Sequence, residues 1–181
     1  MQQEERHAVI ASILEMLKNQ RKYQGKVVLQ KLFYFLEEGY GVSLPYQFRF
    51  YHYGPYSSEL DKDLRVMQMF NIIDIKNDPE ETGYTIELKA GAQANEYLQK
   101  GKSFLKEHEG QISKVLELFG SETPAMLELL GTVYYVYKDA EKSEATKQSI
   151  VKKVKALKPK FEDSEIDSYY NYLVVAKLIK Q

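Results

Sequence analysis

The chain has no cysteine and no tryptophan, and only four of its 25 basic residues are arginine. Without cysteine there is no disulfide, no thiol nucleophile and no thiolate metal site, a composition that fits a reducing cytoplasm. The arginine shortage matters because arginine is the side chain that grips phosphate and guanine with two parallel hydrogen bonds. Long apolar runs are missing as well. The longest, Leu127 to Tyr137, is interrupted by Glu128, Gly131 and Thr132. It falls short of the roughly 18 residues that a membrane span needs, so no membrane is expected as a partner. Residues 1–7 are polar and charged, unlike the apolar core of a signal segment. Histidine is scarce: His7, His52 and His108 fall in different elements and form no His-x-x-x-His pair, so no metal is expected. No phosphate loop, dinucleotide fingerprint or nucleophile elbow occurs, so neither a cofactor nor catalysis is expected.

What is present is the composition of an ordinary folded domain. The 181 residues are 44% hydrophobic and 28% charged, with a formal net charge of −1. A chain of this length buries roughly 70% of its unfolded surface and needs no covalent staple. The near-zero balance is not that of a dedicated nucleic-acid binder.

The apolar spacing predicts a mostly α (α+β) fold. Val9, Ile10, Ile13, Leu14 and Leu17 recur at helical intervals over residues 5–19, and Val28, Leu29, Leu32, Phe33 and Leu36 do so over 26–39. Phe48 to Tyr53 alternates like a strand, and Gly54-Pro55 is read as its end, since proline cannot donate to a ladder. Ser57 or Ser58 then caps a helix over 58–70, with Ser58 and Asp61 at capping-box spacing. Residues 72–75 and 84–89 flank a turn-rich loop and read as a hairpin. Helix, helix, strand, helix, hairpin is the order of a winged helix. A helix opening at 92–98 follows, and then helices over 102–119, from Pro124 to about 138, over 146–157, and one capped by Ser164. The expected organisation is a winged-helix-like N-terminal domain, residues 1–100, with a C-terminal helical bundle, residues 101–181, packed on it.

Three motifs carry a resemblance. "KLFYF" at 31–35 precedes an aromatic strand and "YGPYSSEL" at 53–60, and "LKPKF" stands at 157–161. The first two resemble the SocA-like antitoxin domain, also called the Panacea domain, and more closely the YwgA-like group, which the third fits as well. The clear similarity covers about residues 26–98, and the C-terminal match is looser. It implies a compact regulatory module without enzymatic activity. Panacea members neutralise partner toxins, and one adaptor member hands its toxin to a protease. The chain departs from the antitoxin pattern in having no tryptophan and in placing Tyr56 after the proline.

The candidate partner-binding residues are therefore Lys31, Tyr34, Tyr53, Gly54, Pro55, Tyr56, Ser57 and Glu59. Tyrosines suit a protein interface, combining large contact area with a polar tip. The competing reading is structural: the glycine and proline turn the chain while the tyrosines pack beneath the helices. The alternative function is a DNA-binding regulator. The third helix serves it poorly, since residues 57–70 sum to −1 and the expected wing loop adds Asp78, Glu80 and Glu81 against Lys76. Like charge repels phosphate, the main source of non-specific affinity. The basic segment lies elsewhere: residues 140–160 sum to +5, and Lys147, Lys152, Lys153 and Lys155 are its candidate nucleic-acid contacts. An acidic front and a basic back would also allow two copies to associate head to tail. A third reading, a hydrolase built on His52, requires a defined pocket around that side chain.

Overall fold

In the computed structural model the described residues are 2–20, 22, 24–78, 83–89, 91–140 and 146–180. Helix α1 spans Gln3–Asn19, and α2 spans Lys26–Tyr34 and widens into a π-helical turn over Phe35–Gly39. There the Tyr40 amide bonds the Phe35 carbonyl, five residues back. A short hairpin follows, β1 Arg49–Tyr51 and β2 Gly54–Tyr56, and then α3 Ser58–Met69. A second hairpin pairs β3 Ile73–Asp78 with β4 Gly83–Leu88. The rest is helical: α4 Ala92–Lys100, α5 Lys102–Glu107, α6 Glu109–Phe119, α7 Pro124–Asp139, α8 Lys147–Leu157 and α9 Asp163–Val175. The fold is mostly helical, with two small antiparallel hairpins in the N-terminal half. Among the described residues no helix is long and apolar enough to cross a membrane.

Three local expectations need correction. Gly54-Pro55 does not end the strand region but forms part of β2, with Phe50 opposite Pro55 and Tyr51 opposite Gly54. The chain reverses over His52 and Tyr53, and Gly54 takes φ +81°, the pattern of a turn closed by a glycine bulge. The proline is tolerated because this two-stranded ribbon is all edge. The helix expected over 102–119 breaks at His108, where the apolar spacing lapses between Leu105 and Ile112. The break lets α5 rest on α1 and α4 while α6 reaches α2 and the π turn. The last helix is capped by Glu162 rather than Ser164, in a reciprocal box with Glu165.

The core runs across residue 100 without interruption. Phe35 stacks on Phe119 with ring centroids 4.1 Å apart, and Tyr34 meets Tyr134 edge-on at 5.8 Å. Helix α7 lies against both α2 and β2. That placement brings residues from opposite ends of the chain to the Tyr53-Gly54-Pro55 elbow.

Candidate functional site: a pinned elbow beside a tyrosine-walled cavity

The backbone of the elbow is held from three directions. From α2, Gln30 forms a two-way amide pair with Ser57. Its Nε2 donates to the Ser57 carbonyl at 3.0 Å, and its Oε1 accepts from the Ser57 amide at 2.8 Å. The next residue, Lys31, donates from Nζ to the Pro55 carbonyl at 2.8 Å. From the α8–α9 connection, Lys158 Nζ donates to the His52 carbonyl. From α7, Glu128 closes the set, accepting from Lys158 at 2.7 Å and from Lys160 at 2.8 Å. Strands of three residues have few ladder bonds of their own, and these side chains supply partners that the elbow's carbonyls would otherwise lack.

Two glycines make room for this. A Cβ on Gly131 of α7 would stand 2.9 Å from Lys31 Cδ and 3.4 Å from Pro55 Cδ. A Cβ on Gly54 would stand 3.0 Å from Thr132 Oγ1 and 3.3 Å from the Glu128 carbonyl. The lysine stem thus runs through a slot between helix and elbow. Lys31 is 1% exposed and Glu128 3% exposed. Burial pulls the Lys31 ammonium down to about 7; Glu128 opposes that shift and Lys158 adds to it.

These contacts sort the sequence candidates. Lys31, Tyr34, Gly54, Pro55 and Ser57 are buried. Tyr34 packs on Phe48 and Tyr134 beneath the hairpin. Ser57 caps α3, accepting from the Leu60 amide at 3.3 Å, the position that Ser58 shared with it in the sequence reading. Glu59 is half-buried and accepts from both Ser57 and Ser58 hydroxyls. Tyr53 is 59% exposed, Tyr51 beside it is 57% exposed, and Tyr56 is half-buried. The motif is therefore two layers: an inner set that fixes the backbone and an outer set of rings displayed on it.

The rings border a cavity of about 330 Å³ between the elbow and the second hairpin. Tyr51, Tyr53, Tyr56 and Tyr84 line it together with Lys31 and the Lys26–Asp61 ion pair. The hairpin is held there by its far edge, where the Ile86 amide donates to the Gln24 carbonyl at 2.7 Å.

The remaining acids of α3 are engaged within the chain. Asp61 accepts from Lys26 at 2.9 Å and from Arg65. Asp63 accepts from Arg6 at 2.7 Å and Tyr46 at 2.9 Å, with His7 Nε2 3.5 Å away. Burial acts to raise the Asp63 carboxyl, but these donors outweigh it and hold it well below the usual range. On α8, Lys147 pairs with Asp167 at 2.6 Å and Lys155 with Glu162 at 3.7 Å, while Lys152 and Lys153 are exposed. Glu80, Glu81, Glu141, Lys142 and Glu144, which entered the charge argument, lie outside the described residues. His52 borders a groove of about 460 Å³ with Glu128, Lys158 and Lys160, where both carboxylate oxygens already accept from lysines. Among the described residues no group of three or more acids and histidines could hold a metal.

The sequence reading did not single out Gln30, Glu128, Gly131 or Lys158 as site residues. Glu128 and Gly131 did leave a signal, as the polar and small interruptions in an otherwise apolar helix. No family model matches the chain, and no curated protein matches it.

Proposed function

We propose that this chain is a non-catalytic, cytoplasmic protein-interaction module of the antitoxin or proteolytic-adaptor kind, meeting its partner through the tyrosines of the elbow. The observation behind this reading is exposure on a fixed support. Tyr51 and Tyr53 each show more than half their surface, on a turn whose backbone is held by Gln30, Lys31 and Lys158. Exposed aromatic rings on an already ordered backbone can form a contact without the usual loss of loop freedom. Tyr84, 51% exposed on the second hairpin, extends the same aromatic rim. Glu59 and the half-buried Tyr56 lie at its border and would add polar contacts. In this reading Lys31, Gly54, Pro55 and Ser57 act through the shape of the elbow rather than by touching the partner.

The test is affinity capture from host lysate, with and without nuclease, using the full chain and Tyr53→Asp. A specific protein that survives nuclease and is lost in Tyr53→Asp supports the module, provided the variant's thermal stability is unchanged. Recovery of DNA instead, weakened by Lys152→Glu with Lys153→Glu, would replace it with the DNA-binding regulator.

A further inference from the structure

We propose that the cavity beside the elbow is a binding site for an aromatic group that carries a carboxylate, with Lys31 as its counter-charge. The volume of about 330 Å³ is at the small end for ligand sites and suits one residue-sized group. The tyrosine walls favour an aromatic ring, which pairs with them edge-on or offset.

The charge of the wall selects the rest of the ligand. Lys31 lines the cavity, yet its one hydrogen bond among the described residues goes to a neutral carbonyl. The acid that influences it, Glu128, has one oxygen on Lys158 and the other on Lys160. Two lysines thus share the buried carboxylate, and among the described residues Lys31 beside them has no ion pair. A buried cation lacking a counter-ion is costly, and an incoming carboxylate would supply it. Lys26, the other cation of the wall, is already paired with Asp61 at 2.9 Å. The downward pull of burial on Lys31 reports the same imbalance, which an anionic ligand would reverse.

The inference goes beyond the partner reading and can fail separately from it. It concerns the interior of the cavity, whereas the partner reading concerns the exposed rim. The shared chemistry has two sources, a free aromatic acid or the C-terminal residue of a polypeptide. Titration of the isotopically labelled full chain, followed by amide NMR, separates them with three probes: phenylacetate, N-acetyl-Gly-Gly-Phe and the C-terminal amide of that peptide. We expect saturable shifts at cavity residues such as Gly25, Gly54 and Gly83, with a Kd at or below about 1 mM for an acid probe. The amide should bind at least about tenfold more weakly than the peptide acid. Lys31→Met should erase the difference between peptide acid and amide, and Val27→Trp, which fills the cavity, should abolish all binding. Tighter binding of the peptide acid than of phenylacetate assigns the site to a chain terminus, and the reverse assigns it to a free acid. Equal binding of peptide acid and amide, or no saturable shift with any probe, overturns the proposal. If Lys31→Met does not fold, the acid-to-amide ratio in the wild type and the Val27→Trp result decide.

Discussion

Lys155 and Lys158 stand three residues apart and live in opposite environments. Lys155 stays at the surface of α8, where it meets Glu162 and the Phe161 carbonyl. Lys158, just past the end of that helix, turns inward and is 6% exposed, between Glu128 and the His52 carbonyl. Surface lysines of the first kind, Lys147 among them, face the acids of α9 across solvent, where attraction is weak and screened. Lysines of the second kind, Lys158 and Lys31, hold backbone in place, and each bond counts for more because water cannot substitute for it. A run of lysines in a sequence is thus not one feature. Helix register, and the turn that begins at Lys158, divide it into charge that solvates and charge that builds.

The largest effect should come from Glu128. Glu128→Gln removes the one carboxylate shared by Lys158 and Lys160 and leaves a buried ammonium without a counter-charge. Breaking a buried pair in this way costs about 3–5 kcal/mol. Urea denaturation would show it as a lowered midpoint with an unchanged slope. The double change Glu128→Leu with Lys158→Met should recover most of the loss, because it removes both charges together. A cost below about 1 kcal/mol for Glu128→Gln would mean that Lys158 behaves like the surface lysines after all.

Gly54→Ala comes next. The residue sits at φ +81°, and its Cβ would meet Thr132 Oγ1 at 3.0 Å. Backbone strain of this kind costs about 1–3 kcal/mol, a fall in Tm of roughly 2–4 °C per kcal/mol for a chain of this size. Gly83→Ala on the opposite rim is the control. Its added Cβ meets nothing within 4 Å among the described residues, so its thermal unfolding should stay close to wild type.

Lys31→Met sharpens the comparison through pH. Burial holds the folded-state ammonium down at about 7, against an ordinary lysine value of 10.5. Between those values the unfolded chain binds a proton that the folded chain does not, so stability rises with pH across that window. Below about 7 the full penalty of the buried charge is present, and above about 10.5 none remains. Lys31→Met should remove this rise, so the variant gains on wild type most at and below neutral pH. The gain is limited to roughly 1–2 kcal/mol, because the Pro55 carbonyl loses its donor. Chemical denaturation of both proteins at pH 6, 8 and 10 measures it. Parallel pH profiles would show that Lys31 is as solvated as Lys147.

How much of this was legible in the sequence depends on the range of the interaction. Helices were readable because their apolar spacing is local, and the Thr123-Pro124 start of α7 is written in two adjacent residues. The fold class and the second hairpin followed from the same local patterns. The first hairpin was half-read: the β1 alternation was visible, but Pro55 argued against a second strand. An all-edge ribbon tolerates that proline, and what packs the ribbon in place is helix α7, some 75 residues away in the chain, which no local rule contains. The motif residues Lys31 and Tyr53-Gly54-Pro55 were found as a pair, but not the reason for the pairing. That reason is one hydrogen bond from Lys31 to Pro55 and a slot opened by Gly131. Charge sums were the least informative, since Asp61 and Asp63 are spent inside the fold on Lys26, Arg65, Arg6 and Tyr46.

The smallest effects should come from the exposed lysines, and their size tests the other side of the comparison. Lys155→Ala removes an exposed ion pair and a hydrogen bond to the Phe161 carbonyl at 2.7 Å, and should cost no more than about 1 kcal/mol. Lys147→Ala removes the pair with Asp167, whose partners are each more than a third exposed, and a distant approach to the Tyr170 ring at 5.9 Å, and should cost no more than about 1 kcal/mol. Both losses should shrink when the urea titration is repeated in molar salt, because exposed attraction is screened within a few ångströms there. The Glu128→Gln loss should persist under the same conditions, since its partner Lys158 is shielded from the salt by the elbow and α7. A Lys147→Ala loss that rivals Glu128→Gln and ignores salt would place α8 among the elements that build the fold rather than solvate it.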